Sequence, residues 1–255
     1  MSAPAPRLIL DEIDSTNLEA RRKAERGEVG PLWIVARRQS AGRGRRGRAW
    51  SAPEGNLSAT LLTTTQRPPA EAARVSFVAA LAVAETISLY VPESLVSIKW
   101  PNDVLIDARK ASGILVESGA LNASLGEGAG LWLAVGIGIN IRAHPEDVER
   151  PATHIGAHLR PELREAPDLD QVSETLAASF ARWQSLWEGA GDGPVLDAWS
   201  RRARGLHGPC SARLGHETLT GRADGLAEDG ALRLIDDAGR LHLISAGDVF
   251  FGEQV

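Results

Sequence analysis

The chain has 255 residues, of which 43% are hydrophobic and 24% charged, and its formal net charge is −5; this composition is that of an ordinary globular protein and excludes a fibrous or disordered chain. Its apolar runs are far shorter than the ~20 residues of a membrane-spanning helix, and its N-terminus lacks the apolar stretch of a secretory leader. The single cysteine, Cys210, excludes an internal disulfide framework, so we expect a cytoplasmic protein without membrane contact.

The first hundred residues are predicted to alternate between strands and helices. Residues 7–13 have strand character, and the following Asp-Ser-Thr-Asn sequence has N-cap chemistry for a helix that continues to about Gly27. Short strands are expected at 32–36 and 57–64, separated by a long loop rich in Arg and Gly. Loops of this length inside a compact domain are usually functional or disordered. An Ala-rich segment, 70–90, predicts one buried helix.

The rest of the chain is predicted to complete this unit and then to form a second, smaller one. Apolar stretches at 96–100, 113–117 and 131–141 suit adjacent strands of one sheet, and 168–187 and 195–204 suit helices. From about Gly208 the pattern changes to short strands separated by turns, which is typical of a small β-barrel. We therefore expect a mixed helix-and-strand domain over 1–207 and a small β domain over 208–255.

The loop between the second and third strands concentrates positive charge. Residues 37–48 contain six arginines and no acidic residue. The sequence from Gly42 to Gly47 formally matches G-x-G-x-x-G, but Trp50-Ser-Ala-Pro53 breaks any following helix, and no carboxylate stands about 20 positions on, so a dinucleotide fold is excluded. A flexible loop of guanidinium groups suits phosphate or carboxylate oxygens. A solvated basic loop or a nucleic-acid patch is the alternative.

A second block, Lys99-Trp-Pro-Asn-Asp103, is followed by Lys110 and by Gly113-Ile-Leu-Val-Glu117. Because Pro101 fixes its own φ angle and favours an extended Trp100, the two residues after it are expected in a rigid turn. Asn102 can pair with a base edge or the backbone, and Asp103 can accept hydrogen bonds or hold Mg²⁺. The alternatives are a purely structural turn and a surface lysine.

Together, in this order, the two blocks resemble the biotin protein ligase family. The Ser15-Thr16-Asn17 turn, Gln39, the Gly42–Trp50 loop, Lys99–Asp103, Lys110 and Gly136-Ile-Gly-Ile-Asn140 fall where that family has its motifs. The tail resembles the family's C-terminal SH3-like domain. The resemblance implies an α+β fold in which a mixed, largely antiparallel sheet with flanking helices, similar to class II synthetases, carries the site, plus that SH3-like β-barrel.

The resemblance also implies a reaction and its participants. Biotin is activated by MgATP as biotinyl-5′-AMP and is then transferred to a lysine of a biotin carboxyl carrier protein. By position in the family's motifs, the catalytic residues are expected to be Arg43, Arg45 and Lys110. The biotin-binding residues are expected to be Ser15, Thr16, Asn17, Gln39, Gly42, Arg43, Gly44, Arg45, Lys110 and Gly113. The ATP-binding residues are expected to be Arg45, Arg46, Arg48, Trp50, Asn102, Asp103 and Asn140, with Asp103 the candidate Mg²⁺ contact.

Three further expectations concern partners and rivals. Only six residues precede the first predicted strand, so operator binding is not expected and no nucleic-acid partner is predicted; the family's central sheet often supplies a dimer edge. The rival interpretations are a lipoate protein ligase and a non-catalytic biotin- or RNA-binding protein. His154 and His158 have helical spacing, but no third ligand completes a metal motif, so a surface helix is expected there.

Overall fold

A computed structural model describes residues 4–121, 130–146 and 151–252, which form two β-sheets and five α-helices within those ranges. The helices are α1 (Thr16–Glu25), α2 (Pro69–Ala72), α3 (Val75–Ser88), α4 (Leu169–Ala190) and α5 (Asp192–Arg202). The strands of the first sheet are β1 (Arg7–Ile13), β2 (Leu32–Gln39), β3 (Leu57–Thr65), β4 (Val96–Lys99), β5 (Asp103–Ile106), β6 (Arg109–Ala120) and β7 (Leu131–Ile139). Those of the second are β8 (Pro209–Leu214), β9 (Glu217–Leu226), β10 (Leu232–Ile235), β11 (Leu241–Ile244) and β12 (Asp248–Phe251).

The first sheet has the strand order β1-β2-β3-β7-β6-β5-β4. Only β1 and β2 pair in parallel; every other neighbouring pair is antiparallel. The long β3 and β7 at its centre place Ser58 opposite Gly138 and Thr60 opposite Gly136. The predicted mixed, largely antiparallel sheet is confirmed, and its two central strands bring polar and glycine positions side by side.

Helices cover the sheet on both faces, in unequal amounts. On one face α3 is apolar all round, which suits a helix enclosed by the sheet and by α4 and α5. On the other face α1 packs only its small residues, Ala20 and Ala24, against Ile34, Leu62 and Ala134. Because α1 is short and covers only part of its face, the remaining sheet surface is available for a cavity.

The second sheet is antiparallel, with the strand order β11-β10-β9-β8-β12. It meets the first unit at the turn after β9, where the Trp100 indole Nε1 donates to the Gly230 carbonyl at 3.1 Å. Gly230 has φ +83°, and a Cβ there would lie 2.5 Å from the Phe77 ring. The close approach of this turn to α3 therefore requires glycine.

The structure differs from the predicted elements in four places, the first being that β2 continues to Gln39 and so takes Arg37 and Arg38 out of the predicted loop. The predicted helix over 70–90 is two helices, because the chain turns at Ala73 and Arg74 between α2 and α3. Asp103 does not stand in a turn but begins β5 and pairs with Lys99 of β4. His154 and His158 flank a single 3₁₀ turn over 155–157, so the predicted surface helix there is wrong. Among the described residues, none of the helices is both long and apolar enough to cross a bilayer.

Candidate active site

A cavity of about 610 Å³ opens on the α1 face of the first sheet. Its floor contains Gly113, Gly136 and Gly138, where side chains of other residues approach the backbone. A Cβ at Gly138 would lie 2.2 Å from the Trp50 ring, and one at Gly136 would lie 2.1 Å from Asn17 Oδ1. The glycines therefore make room for these side chains on the sheet.

Polar groups of the first α1 turn form one end of the cavity. The amide and hydroxyl of Thr16 donate to Gln39 Oε1 at 2.8 and 3.1 Å. The Thr60 hydroxyl lies 2.8 Å from the Thr16 hydroxyl and 2.6 Å from Asn17 Oδ1. Ser15, Thr16 and Asn17 are all buried, yet each lines the cavity. Such a buried and satisfied network holds the side chains in one orientation.

The arginine-rich loop folds back on itself as a narrow hairpin. The Gly44 amide donates to the Arg48 carbonyl at 2.7 Å, and the Trp50 amide donates to the Gly42 carbonyl at 2.9 Å. A Cβ at Gly42 would lie 2.3 Å from the Trp50 carbonyl oxygen, so the close pairing requires glycine there. The Trp50 ring packs against the sheet, and within the described part of the chain its buried Nε1 has no hydrogen-bond partner.

The hairpin presents its four arginines to three different places. Arg45 donates to Asn102 Oδ1 at 2.9 Å, and burial lowers the pKa of its guanidinium, an effect that the Asp103 charge opposes. Arg46 and Arg48 reach across to the second sheet, where both pair with Asp248, at 2.9 and 2.6 Å. Arg43 turns the other way, to Glu117 Oε1 at 3.3 Å. The loop is therefore tied to both sheets.

Lys110 and Asp103 form an ion pair beside the Arg45 contact. The Lys110 Nζ lies 2.6 Å from Asp103 Oδ1 and 5.6 Å from the centroid of the Trp50 ring. Asp103 is 6% exposed, whereas the Lys110 side chain is 30% exposed and lines the cavity. The pair thus keeps an ammonium group at the middle of the cavity.

Asn140, at the end of β7, organises the far wall. Its Nδ2 donates to the Thr153 carbonyl at 2.9 Å, and its backbone carbonyl accepts from the Ile155 amide at 3.0 Å. The same segment pairs with the strand that carries Lys110, since the Lys110 amide donates to the Pro151 carbonyl at 2.9 Å. Asn140 lines the cavity, and its Oδ1 is buried with no hydrogen-bond partner among the residues that the structure describes. A buried acceptor of this kind is suited to a ligand that donates a hydrogen bond.

The structure gathers most of the sequence-predicted site residues at this one cavity. Those that line it are Ser15, Thr16, Asn17, Gln39, Arg43, Gly44, Arg45, Arg48, Trp50, Asn102, Asp103, Lys110, Gly113 and Asn140. Gly42 lies at the base of the hairpin, and Arg46 points to Asp248. Polar residues that sequence reasoning did not single out for the site are Ser58, Thr60, Glu117 and Asp248. Strand alternation identifies the inward side of β3 and β6, but no sequence signal reveals that Asp248 comes within reach of the loop.

A second cavity, of about 410 Å³, adjoins the first at Arg45 and Asn102. It runs beneath Trp100 toward the turn at Gly230 and is thus walled by both units of the chain. The Arg45–Asn102 hydrogen bond therefore stands between the two cavities.

The chain is similar to known proteins in sequence and in structure. The sequence model described as "Biotin/lipoate A/B protein ligase family" matches residues 11–133, and that described as "Biotin protein ligase C terminal domain" matches residues 209–252. The biotin–[acetyl-CoA-carboxylase] ligase of Paracoccus denitrificans is 41% identical over 96% of this chain and 100% of its own length. The bifunctional ligase/repressor BirA of Escherichia coli is 30% identical over 90% of this chain and 69% of its own length.

The fold is also that of solved structures. The biotin protein ligase from Aquifex aeolicus in complex with biotin and ATP has a TM-score of 0.76 at 26% identity, covering 97% of this chain and 99% of that one. A biotin protein ligase-like protein of unknown function from a Silicibacter species has a TM-score of 0.69 at 18% identity, over 94% and 93% of the two chains, which shows the shared fold.

Proposed function

This chain belongs to the biotin/lipoate A/B protein ligase family, and from that premise we propose that its cavity activates biotin with ATP and that the enzyme attaches the biotin to a carrier protein. The reaction is an ATP-dependent ligation with two steps. In the first, the biotin carboxylate attacks the α-phosphorus of ATP, giving biotinyl-5′-AMP and releasing pyrophosphate. In the second, an uncharged lysine amine of the carrier attacks the acyl carbon, and AMP leaves.

The observation that carries this proposal is that two cations, Arg45 and Lys110, line the same cavity and are held by neighbouring residues. The first step brings two anions together, so its rate depends on positive charge placed where they meet. Arg45, held by Asn102, and Lys110, held by the adjacent Asp103, supply that charge. Because their partners hold both groups before a substrate arrives, little reorganisation is needed during the reaction.

The two ends of the cavity differ in chemistry, and this difference supports a placement of the two substrates. We place the cyclic urea of biotin at the polar end formed by Ser15, Thr16, Asn17 and Gln39, since a urea needs several fixed hydrogen-bond partners. Gly42, Arg43, Gly44 and Gly113 flank its acyl chain. The nucleotide belongs at the other end, where Asn102, Asp103 and Asn140 lie and where Arg46 and Arg48 can reach its phosphates from the hairpin. Trp50, on the sheet between the two ends, borders both substrates.

Mg²⁺ fits this site as a companion of the nucleotide. The described residues hold no group of three His, Cys, Asp or Glu side chains that could bind a metal on their own. Mg²⁺ is commonly held by one or two carboxylates together with substrate phosphates and water, and Asp103 is a buried carboxylate on the nucleotide side. Its chemical contribution would be to neutralise phosphate charge, with Asp103 as its protein ligand.

The first test separates the two steps. We expect wild-type protein mixed with biotin and MgATP to release pyrophosphate in a biotin-dependent manner. Arg45→Ala and Lys110→Ala should each slow release at least ~10²-fold, because each removes a charge at the reacting groups. Pyrophosphate release and transfer of labelled biotin to a carrier domain are the two measurements.

The matched control is Arg240→Ala, which removes an exposed arginine paired with Asp236 in the second sheet, far from the cavity. If pyrophosphate release depends on lipoate instead of biotin, the substrate is lipoate and the adenylation chemistry is unchanged. No release with either acid, together with an RNA gel shift, would favour a non-catalytic binding protein.

Three coarser proposals accompany the function. We propose a boundary between catalytic and C-terminal domains at 207/208, which limited proteolysis can locate between α5 and β8. Self-association through an edge strand such as β1 is to be tested by sedimentation. A cytoplasmic location is consistent with a carrier substrate and can be checked by fractionation.

A further inference from the structure

Glu117 is a carboxylate close to the polar end of the cavity that the proposed reaction does not use. It lies on β6, and its two oxygens have different partners. Oε2 accepts from Asn17 Nδ2 at 2.8 Å, whereas Oε1 faces the Arg43 guanidinium at 3.3 Å. Its side chain is 29% exposed, but Asn17 is only 4% exposed. Glu117 thus joins the arginine hairpin to a buried amide at the cavity end.

The direction of the hydrogen bond between Glu117 and Asn17 follows from the chemistry of the carboxylate. An ionised carboxylate only accepts hydrogen bonds, so the Asn17 atom facing it must be the donor, Nδ2. The carbonyl oxygen of the amide is then forced to the opposite side, toward Thr60 and over Gly136. Asn17 Nδ2 also contacts the Leu115 carbonyl, but at 3.4 Å, so the charged acceptor at 2.8 Å is the stronger of the two groups that hold the amide in this orientation.

The rest of the network depends on that orientation. The Thr60 hydroxyl has one proton, which it can give to Asn17 Oδ1 at 2.6 Å or to the Thr16 hydroxyl at 2.8 Å. The Thr16 hydroxyl in turn donates to Gln39 Oε1. An Asn17 amide turned the other way would donate to the Thr60 hydroxyl, and the proton of Thr60 would then point toward Thr16. Each of these side chains borders or supports the polar end of the cavity.

We propose that Glu117 is a positioning residue which fixes the hydrogen-bond polarity of the urea-binding end of the cavity by orienting the Asn17 amide, and so determines biotin affinity. This inference rests on the proposed function, because it assigns the polar end to the urea group. The other Glu117 oxygen faces the Arg43 guanidinium, so the carboxylate lies between the hairpin and the Asn17 amide.

The test exchanges hydrogen-bond donors and acceptors between residues 17 and 117. Steady-state pyrophosphate release measures the effect of each exchange. Glu117→Gln replaces the charged acceptor with an amide that can also donate to Asn17, so it removes the stronger of the two constraints with almost no change in shape. We expect its KM for biotin to rise ~10- to 100-fold, the range for loss of a hydrogen bond to a charged group, with kcat and the KM for ATP within ~3-fold of wild type. Asn17→Asp should be worse, because it places two carboxylates in contact.

The double variant Asn17→Asp/Glu117→Gln decides the matter. Here glutamine donates to the aspartate, and the other aspartate oxygen still accepts from Thr60, so the original polarity returns. We expect the KM for biotin to recover to within ~5-fold of wild type, since the lost pair with Arg43 is partly exposed and contributes little. Glu12→Gln, on an exposed edge-strand carboxylate that faces Arg38, is the matched control and should behave as wild type.

The outcomes separate this inference from the proposed function. A wild-type protein that releases no pyrophosphate with biotin refutes the function. An active wild type with an unchanged biotin KM in Glu117→Gln, or with equal rises in the KM values for biotin and ATP, overturns the role of Glu117 alone. If Glu117→Gln does not fold, judged by its thermal midpoint, the double variant still tests the idea, and a double variant no better than Asn17→Asp overturns it.

Discussion

At the scale of single residues, the site is shaped as much by missing side chains as by those present. Gly113 and Gly138 lie on neighbouring strands, opposite each other in the sheet, and together receive the Trp50 ring. The ring in turn lies 5.6 Å from the Lys110 ammonium. The absence of a Cβ at these two glycines therefore leaves room for the Trp50 ring, which in turn lies near the Lys110 ammonium.

We expect Gly138→Ala to displace the Trp50 ring, because the added Cβ would lie 2.2 Å from it. Biotin-dependent pyrophosphate release should fall at least ~10-fold, with a stability loss of ~1–3 kcal/mol for overpacking. Denaturant unfolding and the release assay measure the two effects. Gly189→Ala, in α4 with open space around it, is the control and should leave release unchanged. If Gly138→Ala releases pyrophosphate at the wild-type rate, the position of the Trp50 ring is unimportant for the reaction.

At the scale of elements, a histidine pair joins the residues after β7 to those that lead into the 3₁₀ turn at 155–157. His144 Nδ1 and His154 Nδ1 are 2.8 Å apart, so one must donate and the other accept. Burial, followed by the nearby His144 and His158, lowers the pKa of His154 below its ordinary value of 6.5. If the pair took up a second proton, both facing nitrogens would be donors, and the contact would be lost. The segment between them contributes Pro145, Glu146 and Ala152 to the cavity wall.

The sign of the resulting pH dependence follows from that lowered pKa. The unfolded chain takes up the proton more readily than the folded one, so stability present above about pH 6.5 is lost as the pH falls. We expect the thermal midpoint of the wild type to drop between about pH 7 and pH 5. His144→Gln should weaken that dependence, whereas His216→Gln, at an exposed turn, should retain it. Identical pH profiles for all three proteins would contradict the role of the pair.

At the scale of the whole molecule, the second sheet takes part in the site through one carboxylate. Asp248 begins β12 and pairs with both Arg46 and Arg48 of the hairpin. Arg46 has φ +57°, a conformation uncommon for a residue with a side chain, so tertiary contacts hold the hairpin tip. The Trp100–Gly230 hydrogen bond also joins these two units.

We expect Asp248→Asn to loosen the hairpin, since it removes two partly exposed ion pairs, each contributing ~0.2–1 kcal/mol. Cleavage by trypsin after Arg46 or Arg48 should accelerate ~3- to 10-fold, as followed by mass spectrometry of the fragments. Asp224→Asn breaks comparable pairs, to Arg222 and Arg233, within the second sheet alone and serves as the control. Equal cleavage rates in the two variants would mean that Asp248 does not restrain the loop.

The sequence by itself determined the features that depend on neighbours along the chain. Apolar periodicity and turn residues predict the β1 strand, the long loop before β3 and the short strands after Gly208, and the structure confirms them. The start of α1 is also where predicted, although among the described residues the Ser15 side chain makes no capping hydrogen bond. The motif blocks also led to the family. Short-range patterns carry this information because strand and helix periods are local properties.

Only the tertiary structure decided which distant residues meet. Asp248 reaches the arginine hairpin from some 200 positions away, Glu117 reaches Asn17 across 100, and α2 separates from α3 where the fold turns the chain. Asp103 stands at a strand start instead of in a turn because Lys99 pairs with it across β4 and β5. These contacts depend on strand order and helix packing in three dimensions, and one sequence contains no local signal of either.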